Sequence, residues 1–476
     1  MSTTAAPPGD IGLIGLGTMG RNLALNIADH GFTVAVYNRT PDKTREFLAA
    51  AAGQSVVGAF SVAELLGLLK RPRQVLLLVP AGAPVDEMIV ALQPHLEPGD
   101  LIIDAGNSHF RETARRGRQL AAQGLLYLGL GVSGGEAGAR FGPSLMPGGP
   151  WEAYQRVEPI LTAVAAKVEG EACVAYLGEG AAGHYVKMVH NGIEYGLMQL
   201  IAETYDLLHH GLGLDQAALA SIYAAWQQTE LESYLLDITV QIMRQRDERT
   251  GGYLLAVIAD AAGEKGTGIW TSQEGMDLRV PLPTIDAAVS MRALSGLRAE
   301  RLTAKGLYPE PAGRLDVEPT AFSTQVKDAL GAAMLVTYAQ GLALLHRASQ
   351  HYGFNLPLAA VARVWQGGCI IRARLLRDIR QAYESTPELA NLLLAPAISH
   401  HIRQRQGAWR AVVASAAAGG LPTPGLASAL WYVDAYRRAR LPTNLIQAQR
   451  DYFGAHTYER LDAPGRFHTE WPETNG

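Results

Sequence analysis

Four polar side chains of different chemistry recur at helical spacing within residues 183–196. They occupy positions i, i+3, i+4 and i+7 and therefore share one helix face: Lys187, His190, Asn191 and Glu194. The residues between them are apolar, the reverse of an ordinary surface helix. The pattern fits either the proton-transfer groups of an active site or a polar seam between packed helices.

Lys187 and Glu194 have the chemistry of a base and an acid. Val186, Met188 and Ile193 surround them in sequence. Desolvation lowers the pKa of a lysine and raises that of a glutamate. Two titratable groups shifted in opposite directions are what acid–base catalysis requires.

Three glycines accompany this stripe, at Gly183, Gly192 and Gly196. A glycine inside a helix costs about 1 kcal/mol relative to alanine. We therefore expect a packed element or a ligand to approach the helix backbone closely at these positions.

The N-terminal region has the pattern of a dinucleotide-binding fold. A short apolar strand, Ile11–Ile14, is followed by Gly15-Leu16-Gly17-Thr18-Met19-Gly20 and by a predicted helix that runs to His30. The glycines allow a tight turn and let a pyrophosphate reach the free N–H groups of the helix. The next predicted strand, Thr33–Tyr37, follows at the expected distance.

The end of that second strand indicates which dinucleotide binds. NAD sites usually carry an acidic residue there, whereas this chain has Asn38-Arg39-Thr40. Arg39 can pair with a 2′-phosphate and stack on adenine. The sequence therefore favours NADP.

Three more predicted strands end in loops rich in small and polar residues. The strands Val75–Val79, Leu101–Asp104 and Leu125–Leu130 are followed by Pro80-Ala81-Gly82, by Ala105-Gly106-Asn107-Ser108 and by Gly131-Val132-Ser133-Gly134-Gly135. Ligands bind beyond the carboxyl ends of parallel strands, so these loops are expected to line one crevice. Ser133-Gly134-Gly135 fits either a contact with a carboxylate or hydroxyl substrate or an ordinary turn.

Length and composition limit the kind of protein. A chain of 476 residues exceeds one ordinary core, and 48% hydrophobic with 18% charged residues is typical of a globular protein. The net charge of −4 argues against nucleic-acid binding, and two cysteines, Cys173 and Cys369, exclude a disulfide framework. The N-terminus has no secretory pattern, and Ala329–Leu345 is typical of a bundle helix more than of a membrane span. We expect a cytoplasmic protein.

The strand signals end near Gly180. We predict an α/β Rossmann domain over residues 1–180, a large all-α domain over 181–440 and a C-terminal tail over 441–476. Ala225-Trp226-Gln227 and Val364-Trp365-Gln366 are each followed by a Leu-Leu pair, which suggests an internal helical duplication.

Five stretches resemble the motifs of the decarboxylating 6-phosphogluconate dehydrogenases, within the 3-hydroxyacid dehydrogenase superfamily. They are Gly131–Gly135, Gly142–Gly149, Gly183–Tyr195, Lys265–Gly268 and Gln447–Tyr458. The similarity extends from Ile11 to Trp471.

The resemblance implies an activity of the pentose phosphate pathway. The substrate 6-phospho-D-gluconate would be oxidised at C3 with NADP and would lose CO2 to give ribulose 5-phosphate, without a metal. Lys187 would act as the base, and Glu194 would protonate C1. The family also implies a homodimer whose tails complete the neighbouring sites.

The resemblance further assigns binding residues. Those for the sugar acid would be Asn107, Ser133, Gly134, Gly135, His190 and Asn191. Those for the phosphate would be Tyr195, Lys265, Arg292 and, from the other subunit, Arg450, with His456 beside it. The cofactor would contact Gly15 to Gly20, Asn38, Arg39, Thr40, Val79, Pro80, Ala81 and Asn107. Pro80 stands where the family commonly has a lysine, which leaves the preference for NADP mainly to Arg39.

Two other functions are compatible with parts of the sequence. A hydroxyacid dehydrogenase for an unphosphorylated substrate would share Lys187 but would not need Lys265, Arg292 or Arg450. A catalytically inactive NADP-binding regulator would be expected to lose Lys187 or Glu194. The presence of these residues disfavours both alternatives.

Overall fold

The structure is a computed structural model that describes residues 9–263, 266–308 and 313–472. The chain divides into two compact units, and the boundary lies between Ser428 and Ala429. The first unit contains a sheet with flanking helices and a large helical part, and the second contains the chain end.

A seven-stranded sheet forms the N-terminal part of the first unit. Its strands are β1 (Ile11–Ile14), β2 (Val34–Tyr37), β3 (Val56–Ala59), β4 (Gln74–Leu77), β5 (Leu101–Asp104), β6 (Leu126–Ser133) and β7 (Ser144–Gly148). The order is β3-β2-β1-β4-β5-β6-β7, with β7 antiparallel to β6 and all other pairs parallel. Because helices cover both faces of such a sheet, its central strands β1, β4 and β5 are mainly apolar, with Gln74 and Asp104 as their polar residues.

Alternate residues of these strands enter two cores. Leu13 and Leu76 belong to one buried cluster, and Ile14 and Leu77 belong to the other. The surrounding helices are α1 (Thr18–Asp29), α2 (Pro41–Ala50), α3 (Val62–Gly67), α4 (Ala83–Leu92), α5 (Phe110–Ala121), α6 (Gly135–Phe141) and α7 (Trp151–Val164). A two-stranded hairpin follows, β8 (Lys167–Val168) with β9 (Glu171–Ala172). The α/β fold predicted for this region is confirmed.

Strand β6 is longer than the sequence suggests. Gly131, Val132 and Ser133 were expected in a loop, but they continue the strand. Gly131 pairs with Met146 and Ser133 with Ser144 of the antiparallel strand β7. Pairing with β7 therefore extends β6 as far as Ser133, the first residue of the segment Ser133-Gly134-Gly135 that was expected to contact the substrate.

The rest of the first unit is helical, as predicted. Its helices are α8 (Ala182–Asp206), α9 (Gln216–Trp226), α10 (Tyr234–Arg244), α11 (Thr267–Asp277), α12 (Pro283–Gly296), α13 (Arg298–Leu307), α14 (Pro319–Tyr352), α15 (Leu358–Val364), α16 (Leu375–Ser385) and α17 (Pro396–Gly419). Helix α14 is long and apolar enough to cross a membrane, but 89% of its most apolar window is buried inside the protein. It packs against α8 and α17 as a core helix.

The element order repeats within this helical part. A long helix, α8 or α14, is followed by two shorter helices, α9 and α10 or α15 and α16. The loops between the shorter helices meet in an antiparallel bridge between Ser233 and Ala373. This arrangement is compatible with the internal duplication predicted for the helical part, which stays a prediction.

A further helix, α18 (Pro424–Tyr436), spans the boundary of the two units. The second unit continues with α19 (Thr443–Gly454) and a hairpin of β10 (Tyr458–Glu459) and β11 (Arg466–Phe467). The predicted tail, as far as the structure describes it, thus has secondary structure of its own and forms part of the second unit.

Candidate active site

Helix α8 begins in direct backbone contact with the sheet. A Cβ on Gly183 would lie 2.3 Å from the Gly129 carbonyl oxygen and 2.4 Å from that of Met146. A Cβ on Gly192 would lie 2.5 Å from Thr271, and one on Gly196 would lie 2.6 Å from Thr337. Packed elements, not a ligand, therefore explain all three glycines of the stripe.

The same close packing holds Lys187. A Cβ at Gly131 of β6 would lie 2.5 Å from the Lys187 Cβ, so the lysine stem fills the space that a side chain at 131 would need. Lys187 is only 7% exposed, and its Nζ donates to Asn191 Oδ1 at 2.8 Å. The ammonium position is therefore set both by the strand and by the next turn of its own helix.

A buried hydrogen-bond network surrounds this lysine. Asn191 Nδ2 donates to Thr267 Oγ1 at 3.1 Å, which turns Asn191 Oδ1 towards Lys187 and His190. His190 Nδ1 lies 3.0 Å from that oxygen, and its Nε2 lies 3.3 Å from Ser133 Oγ. With Nδ1–H donating to the amide oxygen, Nε2 accepts from the serine hydroxyl. The network fixes one tautomer of a neutral His190.

The titratable groups of the stripe are shifted as the sequence predicts. Burial lowers the pKa of Lys187, against the attraction of Glu194. Burial raises the pKa of Glu194, although Lys187 and Arg292 oppose the shift. Burial, with Lys187 adding to it, also holds the pKa of His190 well below its ordinary value. Burial therefore disfavours the charged form of both groups, so Lys187 releases a proton more readily, and Glu194 less readily, than either would in water.

Glu194 lies at the open end of the stripe. Its side chain is 22% exposed, and its Oε2 is 3.9 Å from His190 Nδ1. The Arg292 guanidinium lies over the ring of the next residue, Tyr195, 3.5 Å from the ring centre. A Cβ on Gly268 would lie 2.4 Å from Cδ2 and Cε2 of that ring, so Tyr195 contacts both a cation and a helix backbone. A positive charge thus lies next to the carboxyl group, where an anionic ligand could bind.

The loops at the carboxyl ends of β1 and β2 form a second part of the site. Gly17 is the N-cap of α1, and no described side chain caps that helix. Apart from its own chain neighbours, no described residue has an atom within 4 Å of the place of a Gly17 Cβ. Leu16 N donates to Asn38 Oδ1 at 3.0 Å, and Arg39 is exposed beside it. Free helix N–H groups and an exposed arginine fit a pyrophosphate and a 2′-phosphate.

The loops after β4 and β5 adjoin this crevice. A Cβ on Gly15 would lie 2.3 Å from the Leu78 carbonyl oxygen, and one on Gly106 would lie 3.1 Å from that of Val79. Pro80, Ala81 and Asn107 are exposed there. The loops assigned to the cofactor therefore meet at one sheet edge, as expected.

The remaining assigned residues differ in their placement. Gly134 has φ 117° and packs against the Gly368 carbonyl, so only glycine fits there, whereas Gly135 faces open space. Lys265 lies outside the described residues. Arg450 and His456 belong to the second unit, where both are exposed.

One ionic cluster, formed around the buried carboxylate of Glu274, was not anticipated from the sequence. The Glu274 carboxylate of α11 accepts from Arg111 at 2.6 Å, from Tyr352 Oη at 2.9 Å and from Tyr185 Oη at 3.3 Å. Arg111 lies in α5, directly after the Asn107 loop, whereas Thr267 opens α11. The cluster therefore joins the element behind Asn107 to the element that orients Asn191. Local sequence gives no signal for this pairing, because Arg111 and Glu274 are 163 residues apart.

Comparison with known proteins agrees with this architecture. Residues 10–178 match the NAD binding domain of 6-phosphogluconate dehydrogenase, and residues 183–471 match its C-terminal domain. The decarboxylating 6-phosphogluconate dehydrogenase of Synechocystis sp. is 52% identical over 97% of both chains. The NADP(+)-dependent decarboxylating enzyme of Bacillus subtilis is 51% identical over 97% of this chain and 98% of its own.

A solved structure has the same fold over nearly the whole chain. It is Plasmodium falciparum 6-phosphogluconate dehydrogenase, studied in apo form, with its cofactor NADP+ and with its substrate 6-phosphogluconate. The TM-score is 0.95 at 42% identity, over 97% of this chain and 100% of the other. Family models over both parts of the chain and full-length relatives at this identity lead to one conclusion: the chain belongs to the 6-phosphogluconate dehydrogenase family.

Proposed function

We propose that this protein oxidises 6-phospho-D-gluconate with NADP and decarboxylates the product to D-ribulose 5-phosphate, releasing CO2 and NADPH. The observation that carries the proposal is the buried Lys187, held by Asn191 and followed on the same helix face by Glu194. The family assignment and the NADP(+)-dependent relative support the cofactor.

The test compares two substrates and two cofactors. We expect NADPH formation with 6-phosphogluconate and little with gluconate, because the cation beside Tyr195 serves a phosphate. NAD is expected to be the poorer oxidant. Equal rates with gluconate would favour a hydroxyacid dehydrogenase for unphosphorylated substrates.

We propose that Lys187 and Glu194 carry the proton transfers. Neutral Lys187 takes the proton of the C3 hydroxyl group during oxidation and then returns a proton to the C3 oxygen as CO2 leaves. Glu194, whose pKa burial raises, donates a proton to C1 of the resulting enediol. Asn191 holds Lys187 in place, and the Ser133 hydroxyl holds the His190 ring.

NADP would supply the hydride acceptor. Its pyrophosphate would be held by the loop Gly15-Leu16-Gly17-Thr18-Met19-Gly20, and its 2′-phosphate by Asn38, Arg39 and Thr40. The open N-cap at Gly17 is the feature that fits it. Val79, Pro80, Ala81 and Asn107 would border the same crevice.

We propose that Tyr195, Arg292 and Lys265 bind the phosphate of the substrate, and that Arg450 and His456 reach it from the other subunit of a homodimer. Asn107, Ser133, Gly134, Gly135, His190 and Asn191 would hold the sugar acid. The exposure of Arg450 and His456 is compatible with a role in a neighbouring site. The division into functional domains at residues 180 and 440 and a cytoplasmic location stay predictions.

The reaction is proposed to need no divalent metal. Within the described residues, no group of three or more His, Cys, Asp or Glu side chains is arranged to hold one. We expect EDTA to leave the rate of NADPH formation unchanged. A loss of activity that Mg²⁺ restores would contradict this.

A further inference from the structure

A single carboxylate organises the C-terminal unit. Asp451 Oδ1 accepts from Thr457 N at 3.0 Å and from His468 Nδ1 at 2.9 Å. Its Oδ2 accepts from Thr469 N at 3.1 Å and from Trp471 Nε1 at 3.0 Å. The side chain is fully buried. One residue of α19 thus holds both the turn that follows the helix and the segment from His468 to Trp471 that follows β11.

The turn held by Asp451 has an uncommon backbone. Ala455 and Thr457 have φ values of 50° and 58°, in the left-handed region that residues with a Cβ rarely adopt. Such conformations persist only where the surroundings fix them, and they concentrate at functional sites. The residue between these two positions is His456.

Further contacts connect this turn to Arg450. Thr457 N is bound by Asp451, and its carbonyl oxygen accepts from Gln447 Nε2. Gln447 Oε1 in turn accepts from Arg450 at 3.2 Å. A Cβ on Gly454 would lie 2.7 Å from the His456 ring, which therefore packs directly on the helix end. Arg450 and His456 line the same groove of the unit.

We propose that Asp451 is a positioning residue, which fixes the strained turn so that the tail presents Arg450 and His456 together to the phosphorylated substrate. This inference rests on the proposed role of these two residues in substrate binding. Asp451 itself points into the tail and would not touch the substrate.

The chemistry of the carboxylate explains why aspartate is needed. Two oxygens, each accepting two N–H groups, match four donors, whereas an asparagine amide offers only one oxygen. Burial opposes ionisation, but the bonds from His468, Thr469 and Trp471 outweigh it and lower the pKa of Asp451 to about 2. Asp451 therefore stays ionised across the physiological pH range.

The test is a double-mutant cycle in the full-length enzyme. Asp451→Asn and Arg450→Ala are each expected to raise the KM for 6-phosphogluconate about tenfold, the equivalent of one charge-assisted bond, without changing the Kd for NADP. If Asp451 acts through Arg450 and His456, the double variant will show much less than the product of the two single effects. If Asp451 had a purely structural role, the increase in KM of the double variant would equal the product of the two single increases, and this result would overturn the proposal.

Further variants distinguish a failure of the inference about Asp451 from a failure of the proposed substrate role of the tail. Asp462→Asn removes an exposed carboxylate of the same tail, paired with Arg460, and is expected to leave KM unchanged. Trp471→Phe deletes one of the four donors to Asp451 and is expected to raise KM less than Asp451→Asn does. It replaces Asp451→Asn in the test if the Asp451→Asn enzyme does not fold. An unchanged KM in Trp471→Phe would then overturn the inference. An unchanged KM in Arg450→Ala would instead refute the proposed substrate role of the tail.

Discussion

At the scale of single residues, the buried lysine has opposite consequences for activity and stability. Replacing Lys187 by methionine removes the proposed base but keeps the length and apolar packing of the stem. We expect Lys187→Met to lower kcat about 10²- to 10⁴-fold, the usual contribution of a general base, with NADP still bound. Steady-state kinetics and cofactor titration would check this.

The same variant is expected to be more stable than the natural enzyme. Because burial lowers the pKa of Lys187, the unfolded chain binds more protons than the folded one between the folded and the ordinary lysine pKa values. Stability due to this residue therefore rises with pH across that window and is lowest below it. We predict a higher Tm for Lys187→Met at neutral pH and a difference that shrinks as the pH approaches 10. A lower Tm at pH 7 would contradict the pKa direction.

Gly131 is expected to be indispensable for the position of this lysine. A methyl group there would lie 2.5 Å from the Lys187 Cβ, so Gly131→Ala must displace the strand or the helix. Overpacking of this kind costs about 1–3 kcal/mol, and kcat should fall with it. Gly117→Ala is the control, because its Cβ would have only Tyr127 nearby, at 3.7 Å. Chemical denaturation of both variants would measure the difference.

At the scale of elements, the buried Glu274 connects α5 and α11. Removing its cationic partner leaves a carboxylate with hydroxyl donors only, Tyr185 and Tyr352. We expect Arg111→Ala to cost about 1–3 kcal/mol of stability, as for a bond to a buried charge. The exposed pair of Arg45 and Asp42 provides a control, for which Arg45→Ala should cost under about 0.5 kcal/mol. Equal losses in the two variants would show that the cluster is not a specific link.

The sequence predicts those elements whose signal is local. The helical face of Lys187, His190, Asn191 and Glu194 follows from a spacing of seven residues, and the network confirms that the first three of these contact one another. The end of β6 could not be predicted, since it depends on pairing with Ser144 of a later strand. The sequence could not predict the contact between Arg111 and Glu274 either, because the two residues are 163 positions apart. The same holds for the bonds of Asp451, whose partners extend to Trp471, 20 positions along the chain.

At the scale of the whole molecule, the proposed exchange of tails between subunits can be tested by complementation. At low substrate concentration, Lys187→Met is expected to be nearly inactive, and Arg450→Ala, with its about tenfold higher KM, is expected to keep about a tenth of the natural rate. If Arg450 serves the neighbouring site, a mixed two-fold dimer contains one site with both defects and one with neither. Unfolding and refolding an equal mixture should then restore about a quarter of the natural activity, by random pairing in a two-fold dimer. No recovery would indicate that each tail serves its own subunit.

The bond from Leu16 N to Asn38 Oδ1 has a consequence for protein engineering. Of the three residues proposed to select the nucleotide, Asn38 also supports the glycine-rich loop, whereas Arg39 and Thr40 are exposed. A library for altered coenzyme choice can therefore randomise positions 39 and 40 freely but should retain an oxygen acceptor at 38. Aspartate meets that condition but loses the 3.3 Å bond from Asn38 Nδ2 to the Thr40 carbonyl oxygen, and its charge would also repel a 2′-phosphate. One substitution at 38 could thus preserve the loop while shifting the enzyme towards the cheaper, unphosphorylated coenzyme.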